Sequence, residues 1–325
     1  VTIDFTEEDV LFVKAEYDKF LSDYSHASFR MSCHAKSRLL IEGHKDGARF
    51  IAHEAVDRLK NSKPLAMIRI GEGEGNVLGF FRSKGCIELK WFNSIFYTMD
   101  CQVLPIAAAK RFAGELSRAV GKADIIGFRS FTPHPRYVLD IFNAINRSSL
   151  RSALGMIRSL QYAKFAVEHC MFRNAVITSA WVHIGLLGHL DFLLENAPVV
   201  VVITGRPELE AFFCDKLDKR LSAFITIPVQ ASDDKSTDRH LHYPKRYNEI
   251  MEMLTTDLRG SLVLIGAGIF GKIYCEAAKR SGGVALDMGS AFDILAGKLT
   301  RPAHSDPAFF DLDDVPWIKE IIESR

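Results

Sequence analysis

The stretch Ser261-Leu262-Val263-Leu264-Ile265-Gly266-Ala267-Gly268-Ile269-Phe270-Gly271, followed by Val284-Ala285-Leu286-Asp287, decides the fold. Its unbroken apolar start reads as a strand buried on both faces. The glycines at 266, 268 and 271 match Gly-x-Gly-x-x-Gly, and the residues after them predict a helix over 270–281 and a second strand at 284–286. In such a turn the backbone amides and the helix N-terminus can cradle a phosphate, so Gly266 and Gly268 are candidate nucleotide contacts. Asp287 lies about twenty positions beyond Gly266, where an acidic residue can bond a ribose hydroxyl. The plainer alternative is that these glycines serve only close packing of helix on strand.

Working outward, the same alternation repeats. Ala175–Thr178 reads as a strand, with Ser179 capping a helix over 180–196. Val199–Ile203 is the most apolar strand; Thr204-Gly205-Arg206 ends it, and Pro207 opens a helix to about Leu221. Phe224–Ile227 reads as a strand and 244–258 as a helix. Towards the N-terminus, helices are expected over 7–24, 48–61, 103–120, 135–146 and 149–169, with strands at Leu65–Ile70 and Asp124–Gly127. Residues 26–48 read as irregular and basic. Strands alternating with long helices predict an α/β fold: a Rossmann-like, mostly parallel sheet with helices on both faces. The expected organisation is an N-terminal helical cap (1–60), the Rossmann-like catalytic domain (61–300) and a tail (301–325) wrapping the surface.

The 325 residues are 48% hydrophobic, enough for a sizeable core, and 41 Lys+Arg against 40 Asp+Glu give no case for nucleic-acid or membrane binding. No apolar run reaches the length of a membrane span, and the acidic start carries no signal-peptide pattern. The six cysteines are dispersed without metal spacing, which suits free thiols in the cytoplasm. The composition leaves a homo-oligomer open.

A second turn, Arg69-Ile70-Gly71-Glu72-Gly73-Glu74-Gly75, carries the other candidate chemistry. Gly71 and Gly73 would let the backbone approach a ligand. Glu72 and Glu74 could converge on one cation, and oxygen-only ligation suits Mg²⁺ or Mn²⁺, which bind substrate phosphates as well. Arg69 could contact phosphate or hold a carboxylate. The alternative is that both glutamates simply favour a helix start.

Further candidates follow from position. Arg206 ends a central strand, where ligands of parallel sheets bind. Ser290 and Asp293 follow Asp287 and could face the same crevice. His242, in Arg239-His240-Leu241-His242-Tyr243-Pro244, sits beside a helix start and could act as a base. His183 and His189 are six apart on an apolar helix and read as core or interface residues, and Trp181 as a core ring that could also stack on a sugar or base. A Walker lysine and a Gly-x-Ser-x-Gly elbow are both missing, which disfavours P-loop and serine-hydrolase readings.

The two turns together, in this order, resemble the GT-D class of bacterial glycosyltransferases. Members show a strand leading into an Arg-Phe-Gly-Asp-Gly-Glu-like turn and close with a glycine turn, a helix and an Ala-Leu-Asp-Ile-Gly-like strand end. Here these are Arg69-Ile70-Gly71-Glu72-Gly73-Glu74 and Leu264–Gly271 with Ala285-Leu286-Asp287-Met288-Gly289-Ser290. Ala123–Gly127 and Ser290–Gly297 are similar to further segments of the class. The similarity covers islands over roughly residues 50–300. It implies sugar transfer from a nucleotide-sugar donor, often a UDP-sugar, to a glycan or glycoconjugate acceptor, with a divalent metal. The family's Asp-x-Glu metal motif falls on Glu72 and Glu74, one arm being a methylene longer here.

The resulting expectation is a metal-dependent glycosyltransferase. Glu72 and Glu74 would hold Mn²⁺ or Mg²⁺. Arg69, Gly71, Gly73, Gly205, Arg206, Gly266, Gly268, Asp287 and Ser290 would line the donor site, and His242, Asp293 or a glutamate could serve as the base. Two alternatives stand beside it. One is an NAD(P)-dependent oxidoreductase using the 266–271 turn. Against it, that unit closes the alternation, whereas dinucleotide folds usually begin with it. The other is a noncatalytic sugar-nucleotide binder.

Overall fold

The computed structural model describes residues 4–82, 86–100, 102–129, 134–146, 149–228, 241–300 and 304. Eight strands form one sheet: β1 (Leu39–Ile41), β2 (Leu65–Ile70), β3 (Ile125–Phe128), β4 (Val176–Ser179), β5 (Val199–Thr204), β6 (Leu221–Thr226), β7 (Ser261–Gly266) and β8 (Val284–Asp287). Their order is β1-β4-β3-β2-β8-β7-β5-β6, and every neighbouring pair is parallel. The fold is therefore α/β with a Rossmann-like parallel sheet, as the alternation predicts.

Side chains alternate across β2. Ala66, Ile68 and Ile70 face one core, with the helices Glu72–Arg82, Cys86–Asp100, Ile106–Gly121, Leu150–Glu168 and Gly268–Arg280. Leu65 and Met67 face the other, with the helix His44–Lys60, the helical run from Val182 to Asn196, and the helices Glu210–Leu217 and Ala291–Leu295. The N-terminal helix Glu7–Asp23 is closed by a Thr6–Asp9 capping box. Its Val13 and Phe20 pack with Trp91, Leu154 and Ile157 in a third cluster.

The first sixty residues hold more than helices. Within the basic stretch expected to be irregular lie the helix His26–Lys36 and strand β1, which pairs with β4 at the sheet edge. Three residues, Leu39 exposed and Leu40 and Ile41 half-buried, make too short an apolar run to be read as a strand. The helix expected over 180–196 is broken into Val182–Gly185, a 3-10 turn at Leu186–His189 and Leu190–Asn196; Ser179 Oγ accepts from Trp181 N at 3.2 Å, near the expected cap. The helix after Pro207 stops at Leu217, where Asp218 takes φ 48°, and β6 begins at Leu221, earlier than the apolar run suggests. Of the expected tail, 301–325, only His304 lies within the described residues. Among the described residues, no helix is long and apolar enough to cross a membrane.

The site is positioned by the way the chain leaves the sheet. After β2 it passes into Glu72–Arg82 on one face; after β8 it passes into Ala291–Leu295 on the other. β2 and β8 are adjacent and parallel. Adjacent strands whose connections part to opposite faces open a crevice at their carboxyl ends, and ligands of parallel sheets bind in such crevices.

Candidate functional site

In the Arg69–Gly75 turn, Arg69 and Ile70 end β2 and only Gly71 lies between strand and helix. Glu72, Gly73, Glu74 and Gly75 already belong to Glu72–Arg82. Glu74 Oε2 accepts from Gly71 N at 2.9 Å, the reach-back of a third-position glutamate in a helix cap. The third glycine serves packing. A Cβ on Gly75 would lie 2.0 Å from Gly155 O, and one on Gly155 would lie 2.1 Å from Glu72 O, so the helices Glu72–Arg82 and Leu150–Glu168 touch backbone to backbone. This contact fixes the direction in which the Glu72 turn leaves β2.

Beneath the crevice lies a buried charge cluster joining both turns. Arg69, on β2, bonds Asp287 three ways: Nη2 to Oδ1 at 3.1 Å, Nε to the carbonyl at 3.1 Å, and N to Oδ2 at 3.3 Å. Gly289, at φ 45°, makes room for that guanidinium; a Cβ there would sit 1.8 Å from Arg69 Nη2. Lys272, from the helix Gly268–Arg280, donates to Glu74 Oε1, Asp287 Oδ2 and Gly268 O, each at 3.0 Å. Asp287 is 0% exposed and the Lys272 side chain 4%. Burial alone would raise the Asp287 carboxyl, but Arg69 and then Lys272 hold it below its ordinary value. Burial pushes the Lys272 ammonium down, and Asp287 and Glu74 more than offset it, so it lies above the usual lysine value. Two basic side chains, Arg69 and Lys272, thus face two carboxylates, Glu74 and Asp287.

The remaining expected residues fall into separate pairs. Glu72, whose side chain is 37% exposed, meets Arg129 Nη1 at 2.5 Å; Arg129 lies 5.1 Å over the Trp181 ring. Arg206 Nε meets Asp293 Oδ1 at 2.7 Å, and Thr300 Oγ1 donates to Asp293 Oδ2 at 2.5 Å. Ser290 Oγ lies 3.1 Å from Nε2 of both His183 and His304. His183 Nδ1 lies 3.0 Å from Ala180 O, and burial, with Arg69 nearby, pushes its imidazole well down, so it is neutral. A neutral ring donating from Nδ1 leaves Nε2 to accept from Ser290 Oγ.

Thus Arg69, Gly71, Glu74, Gly268 and Asp287 are brought into one network, with Glu72 and Ser290 on the turns beside it. Arg206 and Asp293 form a neighbouring pair, Thr204 pairing with Gly266 across β5 and β7. His242 is not brought there. It is buried, its N donates to Asp100 Oδ1 at 2.5 Å, its Nε2 lies 2.7 Å from Tyr274 OH, and its ring packs 4.2 Å from that of Phe270. Burial, then Arg246, lowers its imidazole to about 3. A base so weak, walled by aromatic rings, suits a structural role. Arg239 and His240 lie outside the described residues.

The expected metal pair does not fit as placed. Glu74 commits one oxygen to Gly71 N and the other to Lys272, while Glu72 is engaged by Arg129. Among the described residues, no group of three His, Cys, Asp or Glu side chains is arranged to hold a metal ion. Asp287, enclosed by Arg69 and Lys272, likewise offers no exposed oxygen to a ribose.

Sequence reasoning missed Lys272, Arg129 and His183 as members of this region. Lys272 alone carried a usable signal: it stands one helical turn beyond Gly268, on the face turned back to the glycine turn.

With this geometry in place, the comparisons assign the chain. The family model described as GT-D-like, a GT-D fold-like domain, matches residues 47–295. The chain belongs to the GT-D-like family. The match includes both turns and all strands but β1. Among solved structures, one titled as the selenomethionine-substituted structure of domain of unknown function 1792 is similar. It has 13% identity, a TM-score of 0.44, and coverage of 84% of this chain and 86% of that one. No curated protein matches. Membership gives this GT-D-like chain a glycosyltransferase type of fold.

Proposed function

We propose that this protein is a glycosyltransferase that takes its sugar from a nucleoside-diphosphate sugar, a UDP-sugar first among them, and passes it to a glycan or glycoconjugate hydroxyl. The observation that carries the reading is the parting of the chain to opposite faces after the adjacent strands β2 and β8, at the end of the sheet where both family turns lie. Family membership over residues 47–295 supports it.

In this reading the glycine turn after β7 and the Ser290 turn after β8 receive the nucleotide half. Arg206 and Arg129, on turns to either side, meet diphosphate charge, and guanidinium suits phosphate because its paired donors match two oxygens. Arg69, Lys272, Glu74 and Asp287 hold the turns in register from below. Glu72 is the partly exposed carboxylate of the β2 turn. It is the base of this reading once Arg129 turns from it to the diphosphate: it accepts the acceptor's proton as that oxygen attacks the anomeric carbon and the nucleoside diphosphate departs. Trp181, under Arg129, offers a ring for a sugar face.

Thermal unfolding with UDP, GDP, their sugars, NAD and NADP tests the reading, followed by an assay for nucleoside-diphosphate release. A ligand at a hundred times its dissociation constant adds about 2.7 kcal/mol of folded-state stability. Stabilisation by UDP or a UDP-sugar is expected. Stabilisation by NAD or NADP, with none by any nucleoside diphosphate, would overturn it in favour of the oxidoreductase.

A further inference from the structure

Lys272 places its ammonium against three oxygens from three parts of the chain: Glu74 Oε1 from the β2 turn, Asp287 Oδ2 from the end of β8, and Gly268 O from the glycine turn. Each distance is 3.0 Å. An ammonium has three hydrogens to give, so its donors are fully used. Two carboxylate oxygens and one backbone carbonyl are also the hard, all-oxygen ligands that Mg²⁺, Mn²⁺ or Ca²⁺ select.

We propose that Lys272 is a built-in cation: its ammonium occupies the oxygen site that joins the two family turns, and the protein binds no divalent metal there. The inference deepens the proposed function, resting on it only for what the site serves; the cation's identity is a separate matter. A divalent ion ligated by Glu74 would have to displace an ammonium already in contact with the same oxygen, against the repulsion of Lys272 and of Arg69 on Asp287. The enclosure opposes this exchange, since the Lys272 side chain is 4% exposed and Asp287 is 0% exposed. Lys272 is tethered by its helix, one turn beyond the Gly268 that begins it. A tethered cation ties the three turns together permanently, where an exchanging metal would do so only when bound.

The proposal also says what the site becomes without its lysine. Lys272→Ser leaves the three oxygens around a space vacated by the side chain, with two carboxylates and one guanidinium. That is a divalent-cation site.

The test uses the full chain and Mn²⁺ as the probe. Mn²⁺ is titrated into the wild type and the bound fraction read from loss of the free-ion electron paramagnetic resonance signal. Thermal midpoints are recorded in EDTA and in rising Mn²⁺. For the wild type, the expected results are no stoichiometric Mn²⁺ binding and one midpoint in all conditions. Lys272→Ser is expected to unfold at lower temperature in EDTA and to regain stability as the logarithm of Mn²⁺ concentration. Adding Glu74→Gln to that variant is expected to remove the regain. One equivalent of Mn²⁺ bound by the wild type and lost in Glu74→Gln would overturn the proposal, as would Lys272→Ser with an undiminished midpoint in EDTA. Should Lys272→Ser not fold in any condition, the wild-type titration decides alone. No arm uses a nucleotide, so failure of the donor assignment would leave these results standing.

Discussion

Asp287 separates two accounts of the β8 turn. A ligand-facing aspartate can be changed to asparagine with little loss of stability, whereas a buried counter-ion cannot. Here Asp287 is fully buried, with Oδ1 on Arg69 and Oδ2 on Lys272 and the Arg69 amide. Asp287→Asn keeps the shape but leaves two cations to one carboxylate, Glu74. Removing one member of a buried pair costs about 3–5 kcal/mol, because the partner stays buried and uncompensated. The Arg69 side chain retains 12% exposure, which favours the lower end, about 3 kcal/mol. With a urea slope of about 3 kcal/mol per molar, the midpoint should fall by about 1 M, read by far-ultraviolet circular dichroism. Combining it with Lys272→Met, in EDTA, should cost less than the sum of the single changes, because the double variant leaves Arg69 facing Glu74 with no surplus charge. An unchanged midpoint with weakened nucleotide binding would refute the reasoning and return Asp287 to the ligand.

Three further outcomes follow from the same structure. Gly75→Ala should cost about 1–3 kcal/mol in urea unfolding, because its Cβ would meet Gly155 O at 2.0 Å with backbone on both sides; a loss under 0.5 kcal/mol would mean that the helices can part freely. Stability should fall as pH drops below about 6.5, since unfolded histidines then gain protons that His242, lowered to about 3, and the strongly lowered His183 refuse when folded; each adds a slope of about 1.4 kcal/mol per pH unit, and urea midpoints unchanged between pH 7 and about 5 would contradict it. Maleimide should modify Cys170 and Cys214 in the native protein, while buried Cys275 and Cys33, whose thiol burial pushes up to about 12, react only after denaturation, as read by peptide mass spectrometry.

The sheet was legible because β2, β5, β7 and β8 are buried on both faces and therefore spelled in runs of apolar residues, with helices between them. β1 was not, because an edge strand of three residues, one exposed and two half-buried, is too short to show a pattern. The turns after β2 and β7 were legible as glycine-rich punctuation, and Glu74 as a residue of a helix start. What each glycine does was not: Gly75 answers to Gly155, on another helix. The charge cluster was hidden for the same reason. Arg69 and Asp287 stand far apart in the chain, and only the insertion of β8 beside β2 brings them together. His242 was legible as a histidine near a helix, but its burial against Phe270 and Tyr274 depends on tertiary packing that local sequence does not announce.

The central claim is that a nucleoside diphosphate binds at the carboxyl ends of β2, β8 and β7. Photolabelling with an azido-uridine diphosphate, followed by peptide mapping, tests it most directly. Label confined to peptides spanning residues 69–75, 204–206, 266–271 or 287–293, and competed away by UDP, is the predicted result. UDP-protectable label confined to peptides elsewhere, such as the strand starts at the opposite edge of the sheet, would contradict the account.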